Sequence, residues 1–136
     1  MDNEIGNDVF GDVIYSYSRK QALDDGILVD LNQYIPVDES GYKYPAACTA
    51  AVHSLIQRAV DFKDWCNDYQ GVVWDILWMS RVHQIKTWET GALFKVIIVT
   101  GEHGTDSDAN THTLKIEVGP GDNAEPVLTI MMPDED

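Results

Sequence analysis

Apolar positions recur at two different periods along this chain of 136 residues, and the change of period divides it. Cys48, Val52, Leu55, Ile56, Ala59 and Phe62 fall at i, i+4, i+7, i+8, i+11 and i+14, the single stripe of a helix of about four turns. Pro45 suits the first turn of that helix, where its missing N–H costs nothing. A polar break over Lys63–Gly71 precedes a second helix from Val72 to about Trp88. There Trp74, Leu77, Trp78, Ile85 and Trp88 share one face, and Val73 and Ile76 widen it. Tryptophans in such a stripe are expected in the core. Beyond Gly91 the period becomes two. Leu93–Thr100 reads as a strand, and its apolar run Val96–Val99 suits burial on both faces. In Thr111–Val118, Leu114, Ile116 and Val118 face one way while Thr113, Lys115 and Glu117 face the other. Turn residues fill Gly101–Asn110 and Gly119–Pro126, and Val127–Met132 pairs back, which completes a three-stranded meander.

The first third is less regular. Residues 1 to 8 are polar and acidic and read as a disordered tail. Asp12–Tyr17 reads as a short strand, and Ser18 with Gln21 forms a capping-box pattern ahead of a two-turn helix over Arg19–Asp25. Gly26 closes that helix, Ile27–Leu31 forms another strand, and Asn32–Tyr44 is an irregular connection. The fold class is therefore α+β: an antiparallel sheet with a C-terminal three-stranded meander and two main helices packed on one face, in a single domain spanning residues 1–136.

Charge changes the picture most. The chain carries 23 acids against 9 bases, a formal net charge of -14. Nucleic acids and anionic membranes attract Lys and Arg, so neither is an expected partner. No run approaches the roughly 18 apolar residues of a membrane span, and the acidic start MDNEIGND is unlike a secretory leader. Cys48 and Cys66 would stand ~27 Å apart on a continuous helix, beyond the ~7 Å a disulfide tolerates, so free thiols and a cytoplasmic location are expected.

Candidate chemistry is sparse. Asp106, Asp108, Asn110 and Glu117 match positions 1, 3, 5 and 12 of a calcium loop, but Thr111 stands where a sharp turn needs glycine and the flanks are strands. His103 and His112, with Glu102, flank the same loop without the three or four convergent ligands zinc requires. His53 and His83 read as structural. No nucleophile elbow, P-loop, dinucleotide fingerprint or zinc-helix motif occurs. Neither metal nor cofactor is expected. Arg81 lies on the tryptophan stripe, where it would snorkel or pair with Asp75 or Asp30. Arg19 pairing with Asp12 or Asp30 would account for the polar residues around Tyr15 and Tyr17. The alternative is a pocket lined by Tyr15, Tyr17 and Arg19.

Spread evenly, the net charge gives about one charge per ~500 Å², roughly fivefold sparser than duplex DNA. Gathering the acids on one face would close that gap. The clusters available are Asp38 with Glu39; Asp61, Asp64 and Asp68; Asp106 with Asp108; Asp122 with Glu125; and Asp134, Glu135 and Asp136.

Four segments, Phe10–Leu31 (FGDVIYSYSRKQALDDGILVDL), Tyr42–Thr49 (YKYPAACT), Trp74–Met79 (WDILWM) and Lys115–Asp136 (KIEVGPGDNAEPVLTIMMPDED), together resemble a family of small proteins carried by bacterial plasmids, integrative elements and phages. Ala47 and Cys48 stand where that pattern has bulkier aliphatics. The resemblance brings no catalytic residues. It implies a mobile-element context, in which counter-defence is a common role. The expectation is an acidic interaction protein, a monomer or homodimer, that blocks the basic groove of a nucleic-acid-binding defence complex such as a CRISPR effector, by DNA mimicry. The alternatives are a small hydrolase or transferase around Tyr15, Arg19 and Asp30, and a structural or oligomeric accessory protein.

Overall fold

The computed structural model describes residues 18–62, 67–100 and 108–135. The expected strand Asp12–Tyr17, and with it Asp12, Tyr15 and Tyr17, lies outside the described residues. So do Asp64, Cys66, Glu102, His103, Asp106 and Asp136.

Ser18 begins the described chain as expected. Its hydroxyl accepts from the Gln21 N–H, and the Gln21 side chain accepts from the Ser18 N–H, both at 3.0 Å. This capping box opens α1 (Arg19–Asp24), and β1 (Leu28–Asp30) follows after Gly26, whose φ is +78°. Two 3-10 turns lead to β2 (Ala46–Thr49), which runs directly into α2 (Ala50–Asp61). Then come α3 (Tyr69–Val82), β3 (Gln84–Trp88), β4 (Gly91–Ile97), β5 (Thr111–Pro120) and β6 (Pro126–Met131).

The strands form one sheet in the order β1-β2-β6-β5-β4-β3. The α+β class and the C-terminal meander hold, and β3 extends the meander to four strands. The sheet is mixed: β2 runs parallel to β6, with Ala46 opposite Leu128 and Cys48 opposite Ile130. Every other neighbouring pair is antiparallel.

Leu114 and Ile116 of β5 alternate with their polar neighbours as expected. The Val96–Val99 run is not buried on both faces: Val96 and Ile98 are buried, whereas Ile97 is 53% exposed. Val118 is also exposed, where the sheet face runs past the helices. Ala92, Phe94 and Val96 face the helices together with Leu114 and Ile116. Val29, Ala46, Cys48, Leu128 and Ile130 continue that face across the sheet by register. The two main helices cover it. From α2 come Val52, Leu55, Ile56 and Ala59; from α3 come Val72, Val73, Ile76 and Leu77. Each fully buried aliphatic side chain here contributes about 1.5–3 kcal/mol. On the opposite face lies α1, where the Arg19 guanidinium reaches Thr129, a residue pointing away from Ile130.

Two helix boundaries differ from expectation. Residues 46–49 are a strand, and the helix starts at Ala50, capped by the Thr49 hydroxyl. Cys48 looks helical only because it precedes Val52 by four. Its pairing with Ile130 of β6, 82 residues later in sequence, is invisible to local periodicity. The second helix ends at Val82, and Gln84–Trp88 pairs with β4. Ile85 and Trp88 fit a helical stripe by spacing, but a free sheet edge is available to them.

Candidate functional site

The sheet is buried against Val73, Ile76, Leu77 and Ser80 of α3, at i, i+3, i+4 and i+7. This choice turns Trp74 and Trp78 outward, 43% and 44% exposed, so they are not core residues as their spacing suggested. Ile85 and Trp88 are likewise at the surface, 48% and 36% exposed. The reason is that α3 is apolar on nearly every side. Two stripes compete, and the narrower side chains pack closer to the strands. The tryptophan rings stack with centroids 6.1 Å apart and planes 18° from parallel. Val82, one turn beyond Trp78, is also exposed and extends the pair into an apolar ridge.

The ridge is braced from the irregular connection before β2. Tyr42 places its hydroxyl 2.7 Å from that of Ser80, which also donates to the Leu77 carbonyl at 2.7 Å. Burial raises the Tyr42 phenol, against smaller opposite pulls from Ser80 and Arg81. Beside it, Gly41 has φ +87° and lies against the Arg81 guanidinium. Arg81 pairs with neither Asp75 nor Asp30 in a hydrogen bond. Its Cζ stands 4.9 Å from the Trp78 ring centroid, a cation–π contact, and its Nε is buried without a hydrogen bond. At the other end of the ridge, Asn67, Asp68, Gly71, Val72, Trp74 and Asp75 line a shallow depression. Partial desolvation raises the pKa of the exposed Asp75 carboxyl from its ordinary value.

Of the pocket expected from Tyr15, Tyr17 and Arg19, only Arg19 is among the described residues; with Ser18, Ala22, Leu28, Pro120, Gly121 and Asp122 it lines a shallow groove. Arg19 donates to Thr129 Oγ1 at 3.1 Å and to the Leu128 carbonyl at 2.9 Å. Asp122 accepts from the backbone N–H groups of Arg19 at 2.7 Å and Lys20 at 3.0 Å. Burial lowers the guanidinium's pKa, and Asp122, Asp30 and Glu125 oppose that. Arg19 thus ties α1 to β6 and Asp122 ties it to the β5–β6 turn, with Asp30 and Glu125 close enough to act on the guanidinium.

Several other described acids are held in local hydrogen bonds of their own. Asp30 caps a 3-10 turn through Asn32 N–H at 2.9 Å, and Asp68 caps α3 through Gly71 N–H at 2.7 Å. Asp61 accepts from Gln57 at 3.0 Å. Glu125 accepts from Asn123 N–H at 2.8 Å inside its turn. Glu135 accepts from Thr49 Oγ1 at 2.8 Å and Met132 N–H at 2.7 Å, while Asp134 is exposed beside it. Asp122 and Glu125 precede β6, whereas Asp134 and Glu135 follow it. A strand of that length separates the two groups by ~17 Å.

The remaining candidate groups among the described residues are held in internal contacts. Cys48 is buried, and burial pushes its thiol up to about 12, with a smaller opposing hydrogen bond from Tyr69. The Tyr69 hydroxyl lies 2.7 Å from His53 Nδ1, and burial raises that phenol as well. A protonated thiol beside a neutral phenol offers no nucleophile. Glu117 accepts from Trp88 Nε1 at 3.2 Å and Thr90 Oγ1 at 3.0 Å, at the end of β5 remote from Asp108. Asn110 is buried and receives the Thr100 N–H, and His112 Nε2 lies 3.3 Å from the Ile98 carbonyl. Among the described residues no group of three or more His, Cys, Asp and Glu converges as for a metal, and no helix is long and apolar enough to cross a membrane.

What these features define is an α+β domain with an exposed aromatic ridge. The chain belongs to a family of unknown function, DUF6573, which it matches over residues 7–136. No curated protein and no solved structure matches it.

Proposed function

We propose that this chain is a non-catalytic, acidic interaction protein of a mobile genetic element, and that it inhibits a host nucleic-acid-binding defence complex by occupying a basic groove, as an anti-CRISPR protein would. The observation that carries the reading is the net charge of -14. A field of that sign draws basic surfaces over long range and repels nucleic acid. The polar groups around Arg19 favour this over the hydrolase or transferase reading, because each described one is held in a structural hydrogen bond. With carboxylates at both ends of β6, the proposal rests on the summed field.

The test is competition and screening. A basic, nucleic-acid-binding host protein captured by the chain is expected to be displaced by duplex DNA. Its affinity is expected to fall by more than about tenfold as NaCl rises from about 0.1 M to about 1 M, where the screening length shrinks from about 10 Å to about 3 Å. An affinity unchanged by salt, or a ternary complex with DNA, would overturn the proposal.

A further inference from the structure

We infer that the Trp74–Trp78 ridge of α3 is the docking face for that partner, and that what it receives is an arginine side chain laid against the tryptophan faces with the Asp75 carboxylate as counter-ion. The inference rests on the function proposed above and names the contact through which it works.

Three observations converge on this occupant. First, the ridge is built. Val73, Ile76, Leu77 and Ser80 hold one side of α3 to the sheet, so both indoles are fixed in solvent, and each exposes about 100 Å². Exposed large aromatics in a contiguous patch mark interaction sites. Second, the ring faces already take a guanidinium. Arg81 occupies one side of Trp78 at 4.9 Å, which shows the geometry that a second arginine would repeat on the stacked partner ring of Trp74. Third, charge favours a basic occupant over a second copy: two chains of net charge -14 repel each other at long range, whereas a basic surface is attracted. Asp75 adjoins Trp74 in the wall of the shallow depression that also contains Asp68. Asp75 is exposed there, so an arginine lying against Trp74 can reach its carboxylate.

Arginine is favoured over lysine for a physical reason. Its planar, weakly hydrated guanidinium stacks on an indole and can still donate in-plane to a carboxylate, while an ammonium must give up a tight hydration shell to do either.

The experiment compares oligo-arginine and oligo-lysine peptides of equal length and charge, titrated calorimetrically into the purified full chain at low salt. The oligo-arginine peptide is expected to bind about tenfold tighter. Trp74→Ala and Trp78→Ala are expected to remove that preference and leave a weak, salt-sensitive attraction common to both peptides. Phe at either position restores part of it, and Asp75→Asn reduces it several-fold. Both tryptophans are half-exposed, so circular dichroism is expected to show the variants folded. Equal binding of the two peptides, or an arginine preference that survives both alanine variants, overturns this inference and leaves the basic-partner reading intact. If neither peptide binds, both readings fall. A self-association abolished by the same variants would assign the ridge to a second copy and likewise overturn the inference.

Discussion

Arg81 holds its guanidinium carbon 4.9 Å from the centroid of the Trp78 ring, and the surface that presents this pair is fixed from behind by Gly41. The loop can approach so closely because Gly41 carries no side chain and adopts φ +87°. A β-carbon there would meet Arg81 Cζ and Nε. Gly41→Ala is therefore expected to destabilise the fold by about 1–3 kcal/mol and to dislodge Arg81 from Trp78. Denaturant unfolding, with indole fluorescence as a second readout, measures both.

The orientation of α3 gives a contrast within one helix. Ile76 is fully buried and Trp74 is 43% exposed. Ile76→Ala is expected to cost about 2–5 kcal/mol by leaving a cavity, whereas Trp74→Ala, despite removing a larger side chain, should cost less than about 1 kcal/mol. Chemical denaturation of the two variants decides the matter. The opposite order would mean that the tryptophan stripe, not the aliphatic one, faces the sheet.

Asp122 ties the β5–β6 turn to the start of α1 by accepting two backbone N–H groups. Asp122→Ala leaves those donors without their charged acceptor and is expected to cost about 1–2 kcal/mol. Arg19→Ala, which loses Thr129 and the Leu128 carbonyl, is expected to cost about 1–3 kcal/mol. The two sites join the same elements, so a double-mutant cycle should show the combined loss falling short of the sum.

His112 sets a pH window. Burial lowers its pKa from the ordinary 6.5; the hydrogen bond to the Ile98 carbonyl opposes this, and nearby Arg58 adds to it. Below 6.5 the unfolded chain takes up a proton that the folded chain resists. Stability is thus fully kept above that pH and declines as pH falls toward the folded value. Replacing His112 by Gln should flatten this part of the profile, as followed by thermal melts between pH 7.5 and pH 5 (values set by the ordinary histidine range of about 5 to 8).

Cys48 should resist alkylation. With its thiol pushed up to about 12, the thiolate fraction at pH 8 is about a thousandfold below that of an ordinary cysteine near 9. Peptide mapping after iodoacetamide is expected to leave the Cys48 peptide unmodified in the native protein and to label it after unfolding. Rapid native labelling would overturn the assigned burial.

The parts legible in the sequence were those decided locally. Ser18 and Gln21 announce a helix start because the cap is closed within three residues. Leu114 and Ile116 alternate with Lys115 because one side of a strand is covered and the other is not. The Val52–Ala59 stripe gives α2 its buried face at the expected period. Where two readings satisfied the same local pattern, the wrong one was available. Cys48 continues a helical spacing yet sits in a strand, and Trp74 and Trp78 form as good a stripe as Ile76 and Leu77.

By itself, then, the order of residues determined the charge, the caps, the alternating strands and the α+β class, since each follows from neighbours within a turn or a hairpin. Tertiary structure alone decided that β2 runs parallel to β6, because that pairing joins segments some 80 positions apart. It also decided which side of α3 meets the sheet. That choice depends on how closely the side chains of two distant segments interlock, and it left the tryptophans for something else to touch.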